Sequence, residues 1–177
     1  MKAYICSLFG PPEVLKLQEV EKPKPKDHEV LIQVKATSVN AADSNLRGRT
    51  YIPSGLGLLA NLMLGFRKPK TPIQGTVLAG DVIEVGDKVR QFKVGDKVFG
   101  TGPELGAYGE YVCRAETGAM TFIPDNLSYE EAASVPYGAL TALYFLKDMA
   151  KISENQNVLI KGASGGVGVY AVQLANY

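Results

Sequence analysis

The chain has 177 residues, and its 19 Lys and Arg against 18 Asp and Glu leave a formal net charge of +1. Hydrophobic residues make up 46% and charged residues 21%, proportions that exclude a disordered chain. The near-zero net charge argues against a nucleic-acid-binding protein, which normally carries a basic surplus. Two cysteines are too few for a disulfide-rich scaffold.

The metal-ligating and apolar residues exclude two further classes of protein. Cys6, Cys113 and the single histidine, His28, lie far apart, whereas a structural zinc site needs four Cys or His ligands and a catalytic site usually three protein ligands. We therefore expect no metal. The longest apolar region, Leu56 to Phe66, is too short for a membrane span of roughly 20 residues, and no signal peptide is evident. The sequence favours a cytoplasmic protein with neither nucleic acid nor membrane as a partner.

Residues 1–120 are predicted to form mainly strands. The segment Glu29–Ala36 alternates apolar and polar residues, which is typical of a half-buried strand. The pentapeptide Val-Gly-Asp-Lys-Val occurs at 85–89 and again at 94–98, and its Gly-Asp pairs predict consecutive tight turns in a small barrel. The glycine-rich segment Gly106–Val112 is interpreted as a further strand.

Helical signals begin after the strand region. Ser128 and Glu131 fit a capping box, so a helix is predicted to start there and to be interrupted at Pro136. A second helical stretch is predicted from Gly138 to Met149. The short apolar run Val158–Ile160 is consistent with a buried parallel strand.

A glycine-rich turn follows that run and leads into a predicted helix. Its residues Ala163-x-Gly165-x-x-Gly168 form a variant of the dinucleotide-binding fingerprint. A small residue at 163 permits the tight turn, Gly165 lets the main chain approach a pyrophosphate, and Gly168 lets the helix lie close to the strand. The helix N-terminus then offers free N–H groups to phosphates. A merely structural turn is the alternative, whereas a Walker loop is excluded because no Gly-Lys-Ser/Thr follows.

Several segments match one known family in the same order along the chain. They are Ser38–Asp43 with Arg47-Gly48, Gly75–Gly80, Val94–Gly100, Gly106–Tyr111, Leu127–Leu143 and Val158–Ala175. Together they resemble the N-terminal half of the medium-chain dehydrogenase/reductase superfamily, and most closely its zinc-free, quinone oxidoreductase-like branch. The resemblance implies a β-rich GroES-like barrel domain over residues 1–122. Residues 123–177 would supply linker helices and the first strand, turn and helix of an incomplete α/β Rossmann domain.

The resemblance also implies a chemistry. Such proteins usually bind NADPH and pass a hydride from its nicotinamide to a small-molecule substrate, either a quinone or the β-carbon of an α,β-unsaturated carbonyl. Zinc-dependent relatives carry a Cys near Asn40 and a His-Glu pair near Thr76-Val77, and this sequence has neither. The implied partner is this substrate. Independently, the run Val158–Ile160 would leave an unpaired strand edge, which invites either dimerisation into a homodimer or disorder.

Individual positions acquire expected roles from the same resemblance. Asn40 corresponds to an active-site asparagine, Asp43 to the acid that follows it, and Tyr51 to a substrate-pocket wall. The predicted cofactor-binding residues are Thr141, Ala163, Ser164, Gly165, Gly166, Val167 and Gly168. The alternatives are that Asn40 satisfies a turn, that Asp43 is structural and that Tyr51 is ordinary surface. The apolar segment Tyr51–Pro72 either lines the substrate cleft or forms a plain apolar surface.

The chain stops within the first predicted Rossmann helix. A parallel strand needs a partner reached through a crossover, so we expect a truncated enzyme that is inactive alone. Two other functions stay open, since a fold does not fix a function. One is a non-catalytic binding or structural relative, and the other, disfavoured by the ligand count, is a zinc-dependent alcohol dehydrogenase.

Overall fold

Seven strands and four α-helices form the described part of the computed structural model, which covers residues 1–50, 52 and 55–176. The strands are β1 (Lys2–Cys6), β2 (Leu15–Glu19), β3 (Glu29–Ala36), β4 (Val77–Val85), β5 (Lys97–Thr101), β6 (Tyr111–Ala115) and β7 (Met120–Phe122). The helices are α1 (Ala41–Gly48), α2 (Gly57–Leu64), α3 (Tyr129–Leu143) and α4 (Gly168–Ala175). A 3₁₀ turn over Pro12–Val14 and a π-helical turn over Tyr144–Met149 complete them.

An antiparallel five-stranded sheet in the order β6-β3-β4-β5-β7 forms the centre of the strand-rich part. β1 and β2 form a separate antiparallel pair, which makes single bridges from Ala3 to Gly109, before β6, and from Ile5 to Ile73, before β4. The predicted strand Glu29–Ala36 is confirmed as β3, and it pairs with both β4 and β6. The first four residues of β4 are all buried, so both faces of the strand are covered there, while β3 and β5 pair with its two edges.

The hydrophobic core lies against this sheet. Its buried members are Val30, Ile32, Leu78, Val82, Val89, Phe92, Val98, Ala107 and Val112. They come from β3, β4, β5 and β6 and from the loops between them, so the core depends on contacts between residues distant in sequence. Burial of such side chains stabilises the fold by about 1.5–3 kcal/mol each.

Turns occupy the places where the sequence repeats Val-Gly-Asp-Lys-Val. The first turn, at Asp87-Lys88, follows β4, and the second, at Val94-Gly95, precedes β5, which confirms the turn prediction. Gly95 has a φ of 95°, a conformation that favours glycine.

The strand predicted over Gly106–Val112 is only partly correct. Gly106 has a φ of 125°, so the chain turns there, and β6 begins at Tyr111. Positive φ is incompatible with a regular strand, and the glycines of this segment serve the turn instead.

The prediction that Pro136 interrupts the helix is wrong, because α3 runs through it. Proline removes one hydrogen bond and crowds the carbonyl four residues earlier, that of Ala132. Here Ala132, Ala133 and Pro136 are all buried, so packing offsets that cost. The predicted capping box is confirmed: the Glu131 N–H donates to Ser128 Oγ at 3.2 Å, and the Ser128 N–H donates to Glu131 Oε2 at 2.8 Å.

The chain divides into two compact units, Met1–Ala133 and Ser134–Tyr177. In the second unit, the strand predicted at Val158–Ile160 is wrong, because this segment is not a strand and Leu159 is 96% exposed. A parallel strand needs a neighbour to accept its backbone hydrogen bonds, and the described residues of this unit provide none. The domain boundary after residue 122 stays a prediction; it coincides with the end of β7.

Candidate functional site

Asn40 is the N-cap residue of α1. This helix lies within residues 1–120, which the sequence predicts to form mainly strands. Its Oδ1 accepts hydrogen bonds from the N–H groups of Ala42 at 2.8 Å and Asp43 at 3.2 Å. In return, Asp43 Oδ2 accepts from the Asn40 N–H at 3.1 Å, which completes a reciprocal capping box. The short polar side chain of Asn40 therefore fixes where α1 starts.

The same two side chains connect α1 to the start of β4. Asn40 Nδ2 donates to Thr76 Oγ1 at 2.9 Å, and the buried Thr76 N–H donates to Asp43 Oδ1 at 3.1 Å. Asp43 is only 1% exposed. The predicted pair, Asn40 and Asp43, is thus brought together, and Thr76 joins it as a third member that sequence reasoning did not assign to the site.

Tyr108 lies beside this group, although sequence reasoning did not assign it to the site. A Cβ added to Gly75, whose φ is 94°, would lie 2.6 Å from Tyr108 Cδ1, so the tyrosine ring packs against bare backbone. Its buried hydroxyl faces the Asp43 carboxylate without reaching hydrogen-bond geometry. Burial and then the negative charge of Asp43 raise the pKa of Tyr108 well above its usual range, so the phenol stays protonated.

The donor set at Asn40 and Thr76 does not suit zinc. The structure places the side chains of these two residues in direct contact. An amide and a hydroxyl bonded to each other supply none of the Cys sulfur, His nitrogen or carboxylate ligands that zinc uses. Within the described ranges, no group of three or more His, Cys, Asp or Glu side chains is placed to hold a metal ion.

The glycine turn of the second unit exposes its main chain. Residues 161–166 are all exposed, and the Gly165 N–H donates to Gly162 O at 3.0 Å, which closes the turn. A Cβ added to Gly162 or Gly166 would have no other heavy atom within 4 Å. Ala163 and Ser164 complete this bare stretch, which fits the close approach of a diphosphate to backbone N–H groups.

Gly168 starts α4 directly against this turn. A Cβ there would lie 2.1 Å from Gly162 O and 2.7 Å from Ala163 Cα. The expected contact of Gly168 with the strand is therefore wrong, since its close neighbour is the turn itself. Val167 precedes α4 and provides no side-chain cap, and the Val169 N–H of the first helical turn donates to Gly165 O at 3.1 Å.

Thr141 belongs to the same unit, on α3. Gly138, one helical turn earlier, meets the glycine turn closely, because a Cβ there would lie 2.2 Å from Gly166 O and 2.6 Å from Tyr170. Residues three apart share a helix face, so Thr141 lies on the face that meets the turn. Its hydroxyl donates to Tyr137 O at 2.6 Å. Gly138 was missed because a glycine inside a helix has no motif of its own.

Tyr51, the third residue predicted to be catalytic, lies outside the described residues. The apolar segment that follows forms α2, and several of its large side chains are exposed, including Leu58 at 84% and Leu62 at 70%. Along the parts of the chain that the structure covers, no helix is both long and apolar enough to cross a membrane.

Comparison with known proteins gives a family match and close relatives. The model of the alcohol dehydrogenase GroES-like domain matches residues 26–136. The quinone oxidoreductase of Lama guanicoe is 38% identical over 177 residues, which is 99% of this chain and 49% of that protein. The quinone oxidoreductase of Pseudomonas aeruginosa is 35% identical over 172 residues, covering 94% of this chain and 47% of that protein. The chain thus spans about half the length of the curated relatives it matches.

Solved structures agree with this match. The quinone oxidoreductase from Coxiella burnetii superposes with a TM-score of 0.84 at 35% identity, covering 99% of this chain and 53% of that one. CurK enoyl reductase gives a TM-score of 0.86 at 29% identity, with 99% and 51% coverage. Mycobacterial Rv1454c, solved in complex with NADPH, gives 0.82 at 29% identity, with 99% and 50% coverage.

Proposed function

Because the chain belongs to the quinone oxidoreductase-like branch of the medium-chain dehydrogenase/reductase superfamily, we propose that the full-length protein is an NADPH-dependent reductase of quinones or α,β-unsaturated carbonyls. Its GroES-like barrel domain and the beginning of a Rossmann domain correspond to the N-terminal part of that superfamily. We further propose that it works without zinc and that residues 1–177 alone are inactive.

The bare glycine turn is the observation that carries this proposal. Ala163, Ser164, Gly165, Gly166 and Val167 present main chain ahead of α4, and Gly168 allows the helix to begin there. These features suit the diphosphate of a dinucleotide. NADPH is preferred over NADH in the proposal because this branch of the superfamily usually uses it, and one structural neighbour was solved with NADPH.

NADPH would supply a hydride, that is, two electrons and one hydrogen. On an unsaturated carbonyl, that hydride would form a C–H bond at the β-carbon while the C=C π electrons move toward the carbonyl, so the carbonyl oxygen would gain negative charge. Water then supplies the proton that completes the reduction. With no metal as Lewis acid, hydrogen-bond donors have to stabilise that oxygen.

Asn40 is the proposed donor to this oxygen. Its Nδ2 makes one hydrogen bond with the described residues, to Thr76, which leaves a second N–H free to donate. Asp43 is proposed to act through Asn40, because it accepts from the Asn40 backbone and from Thr76 and so fixes the amide in place. Tyr51 is proposed as a wall of the substrate pocket, and Thr141 as a residue near the nicotinamide.

Three further properties belong to this proposal. The absence of zinc is supported by the hydrogen-bonded amide and hydroxyl at Asn40 and Thr76. A cytoplasmic location is supported by two free cysteines, Cys6 and Cys113. A homodimer is supported by the exposed apolar segment Val158–Ile160, which would need a covering surface.

The decisive experiment titrates full-length protein with NADPH and with NADH and follows nucleotide fluorescence. We expect tighter binding of NADPH, and we expect Gly166→Val to weaken it at least tenfold because the new side chain would project into the cradle. Gly57→Val is the matched control, since a Cβ at Gly57 also has no other heavy atom within 4 Å. Equal binding by both variants would contradict the assigned cradle.

Steady-state assays with a simple quinone and an enone test the chemistry. We expect Asn40→Ala to lower kcat by about 10²-fold, the scale of removing one oxyanion donor. NADPH binding without any reduction would favour a non-catalytic relative. Elemental analysis that finds one zinc per chain would overturn the zinc-free proposal.

A further inference from the structure

The helix α2 turns its apolar side toward solvent. Its outward residues lie three and four positions apart, which places them on one helix face, and they are Leu58, Leu59, Leu62 and Met63. Phe66 follows two residues after the end of α2. All five side chains are at least half exposed, whereas a surface helix normally buries its apolar stripe against the core. We call these five residues the α2 apolar face.

Contacts on the other side of α2 hold the helix in this orientation. Asn61 Oδ1 accepts from Arg49 Nη2 at 2.6 Å, and Arg49 Nη1 donates to Phe66 O at 2.7 Å. Arg49 is the C-cap residue of α1, and its guanidinium lies 4.9 Å from the centre of the Phe9 ring. The helix α2 is therefore anchored to the end of α1 through its polar Asn61 side, and the α2 apolar face stays outside.

The part of the chain around α2 carries only positive charge. Residues 44–80 contain five Lys and Arg and no Asp or Glu, whereas the rest of the chain contains 14 Lys and Arg against 18 Asp and Glu. Arg67 and Lys68 are exposed and directly follow the α2 apolar face, and neither makes an ion pair with a residue that the structure describes. Lys70 Nζ donates to the Leu62 carbonyl, which holds a third cation beside α2.

An apolar face bordered by cations is the kind of surface that an anionic lipid layer fits. Apolar side chains lie in such a layer to a depth of roughly 5–10 Å, and Lys and Arg side chains meet its anionic headgroups. A second copy of the chain is the poorer occupant, because two α2 helices that faced each other would bring the cations of both chains together. The cytoplasmic leaflet of a membrane carries anionic lipid, which agrees with the proposed location of the protein.

We propose that the α2 apolar face, together with Arg67 and Lys68, docks the protein on the surface of a membrane that contains anionic lipid. Such a contact needs no spanning helix, and the apolar segment is too short to supply one. The expectation that no membrane is a partner, which rested on that length, is therefore replaced. The docking does not rest on the proposed function, because neither NADPH nor a reducible substrate takes part in it.

Co-sedimentation of the full-length protein with lipid vesicles tests the docking. One set of vesicles contains phosphatidylcholine and phosphatidylserine, and the neutral set contains phosphatidylcholine alone. We expect binding to the anionic vesicles that weakens as salt is added. Arg67→Gln combined with Lys68→Gln should weaken that binding by about fivefold for each cation removed. Leu58→Gln combined with Leu62→Gln should weaken it by about tenfold or more, because two apolar side chains no longer enter the lipid.

The matched controls make the same chemical changes at exposed residues outside this segment. They are Leu17→Gln for the leucines and Lys24→Gln combined with Lys93→Gln for the cations. We expect both controls to bind vesicles like the wild type. Thermal unfolding of each variant shows that it is folded.

Two results would overturn the docking. If the protein does not bind anionic vesicles at low salt, another part of the protein or a second copy covers the α2 apolar face. If binding survives the loss of Leu58 and Leu62, the cations alone account for it. An active reductase that binds no vesicles would refute the docking and leave the proposed function intact, whereas an inactive protein that binds them through these leucines would support the docking and refute the proposed function alone.

Discussion

Replacing the buried carboxylate of Asp43 by alanine tests the link between α1 and β4. The wild-type carboxylate accepts from the Thr76 N–H at 3.1 Å inside the protein and from the Asn40 N–H at 3.1 Å at the helix start. Alanine removes both acceptors. The Asn40 side chain would remain bonded to Ala42, so α1 would still have part of its cap.

The magnitude follows from these two hydrogen bonds. A buried N–H left without a partner costs about 1–3 kcal/mol. Losing the reciprocal half of a capping interaction costs about 1 kcal/mol more. We therefore expect Asp43→Ala to lower the free energy of unfolding by about 2–4 kcal/mol. The pKa of Tyr108 should fall at the same time, because the negative charge that helps to raise it is gone.

Equilibrium urea unfolding of the full-length protein measures this loss. If the slope of the free energy of unfolding against urea concentration is unchanged, the substitution has weakened the native state and has not altered the unfolded state. Asp96→Ala is the matched control, since Asp96 Oδ2 accepts from the Lys93 N–H at 2.8 Å in an exposed turn. There the freed N–H can bond to water, and we expect a smaller loss of about 0.5 kcal/mol. Equal losses in the two variants would refute the reasoning that burial makes the Asp43 interaction strong.

Three other changes test separate features. Gly168→Ala should lower the free energy of unfolding, measured in urea, by about 1–3 kcal/mol, because the new Cβ would meet backbone atoms. Gly166→Ala should change the free energy of unfolding little, because a Cβ there meets no atom. Equal effects of the two substitutions would contradict the packing of α4. Burial and then the interaction with Asp81 raise the pKa of Tyr129 to about 12. The stabilisation that Tyr129 contributes is therefore present below pH 10 and is lost as the pH rises through 12. Absorbance titration of Asp81→Asn should show a lower pKa for Tyr129. Backbone hydrogen bonds lower the pKa of Glu116. The stabilisation that Glu116 contributes is therefore present above the ordinary glutamate pKa and is lost as the pH falls. In Glu116→Gln, the midpoint of urea unfolding should depend less on acid pH than in the wild type.

The strands were predictable where the local pattern and the tertiary environment agree. The predicted limits of β3 match the structure, and Val30 and Ile32 on its core-facing side are buried, although Leu31 on the opposite face is buried as well. Pro136 and Val158–Ile160 show the two ways in which local rules fail. Buried alanines pack beside the proline in α3. The apolar run has no neighbouring strand among the described residues of its unit, and it forms none.

The candidate site was predictable only in part, because it depends on the register of β3 and β4. The motif that contains Asn40 and Asp43 can be read along the chain, but the position of Thr76 cannot. Pairing of Ala36 with Ala79 brings the end of β3 beside the start of β4, and Thr37 Oγ1 then donates to Val77 O at 2.6 Å. Thr76 reaches Asn40 as a consequence of this antiparallel pairing, which a single sequence does not specify.

Among the five glycines of the second unit, three are required by the fold and Gly166 is not, while a Cβ at Gly165 would lie 3.3 Å from Gly162 O. Gly138 and Gly168 have backbone atoms where a Cβ would stand, and Gly162 has a φ of 77°. Gly166 has neither constraint, since a Cβ there would meet nothing and its φ is not positive. Packing and backbone conformation therefore do not account for glycine at 166. A molecule that lies against the main chain would account for it, and the diphosphate of the proposed dinucleotide would be such a molecule.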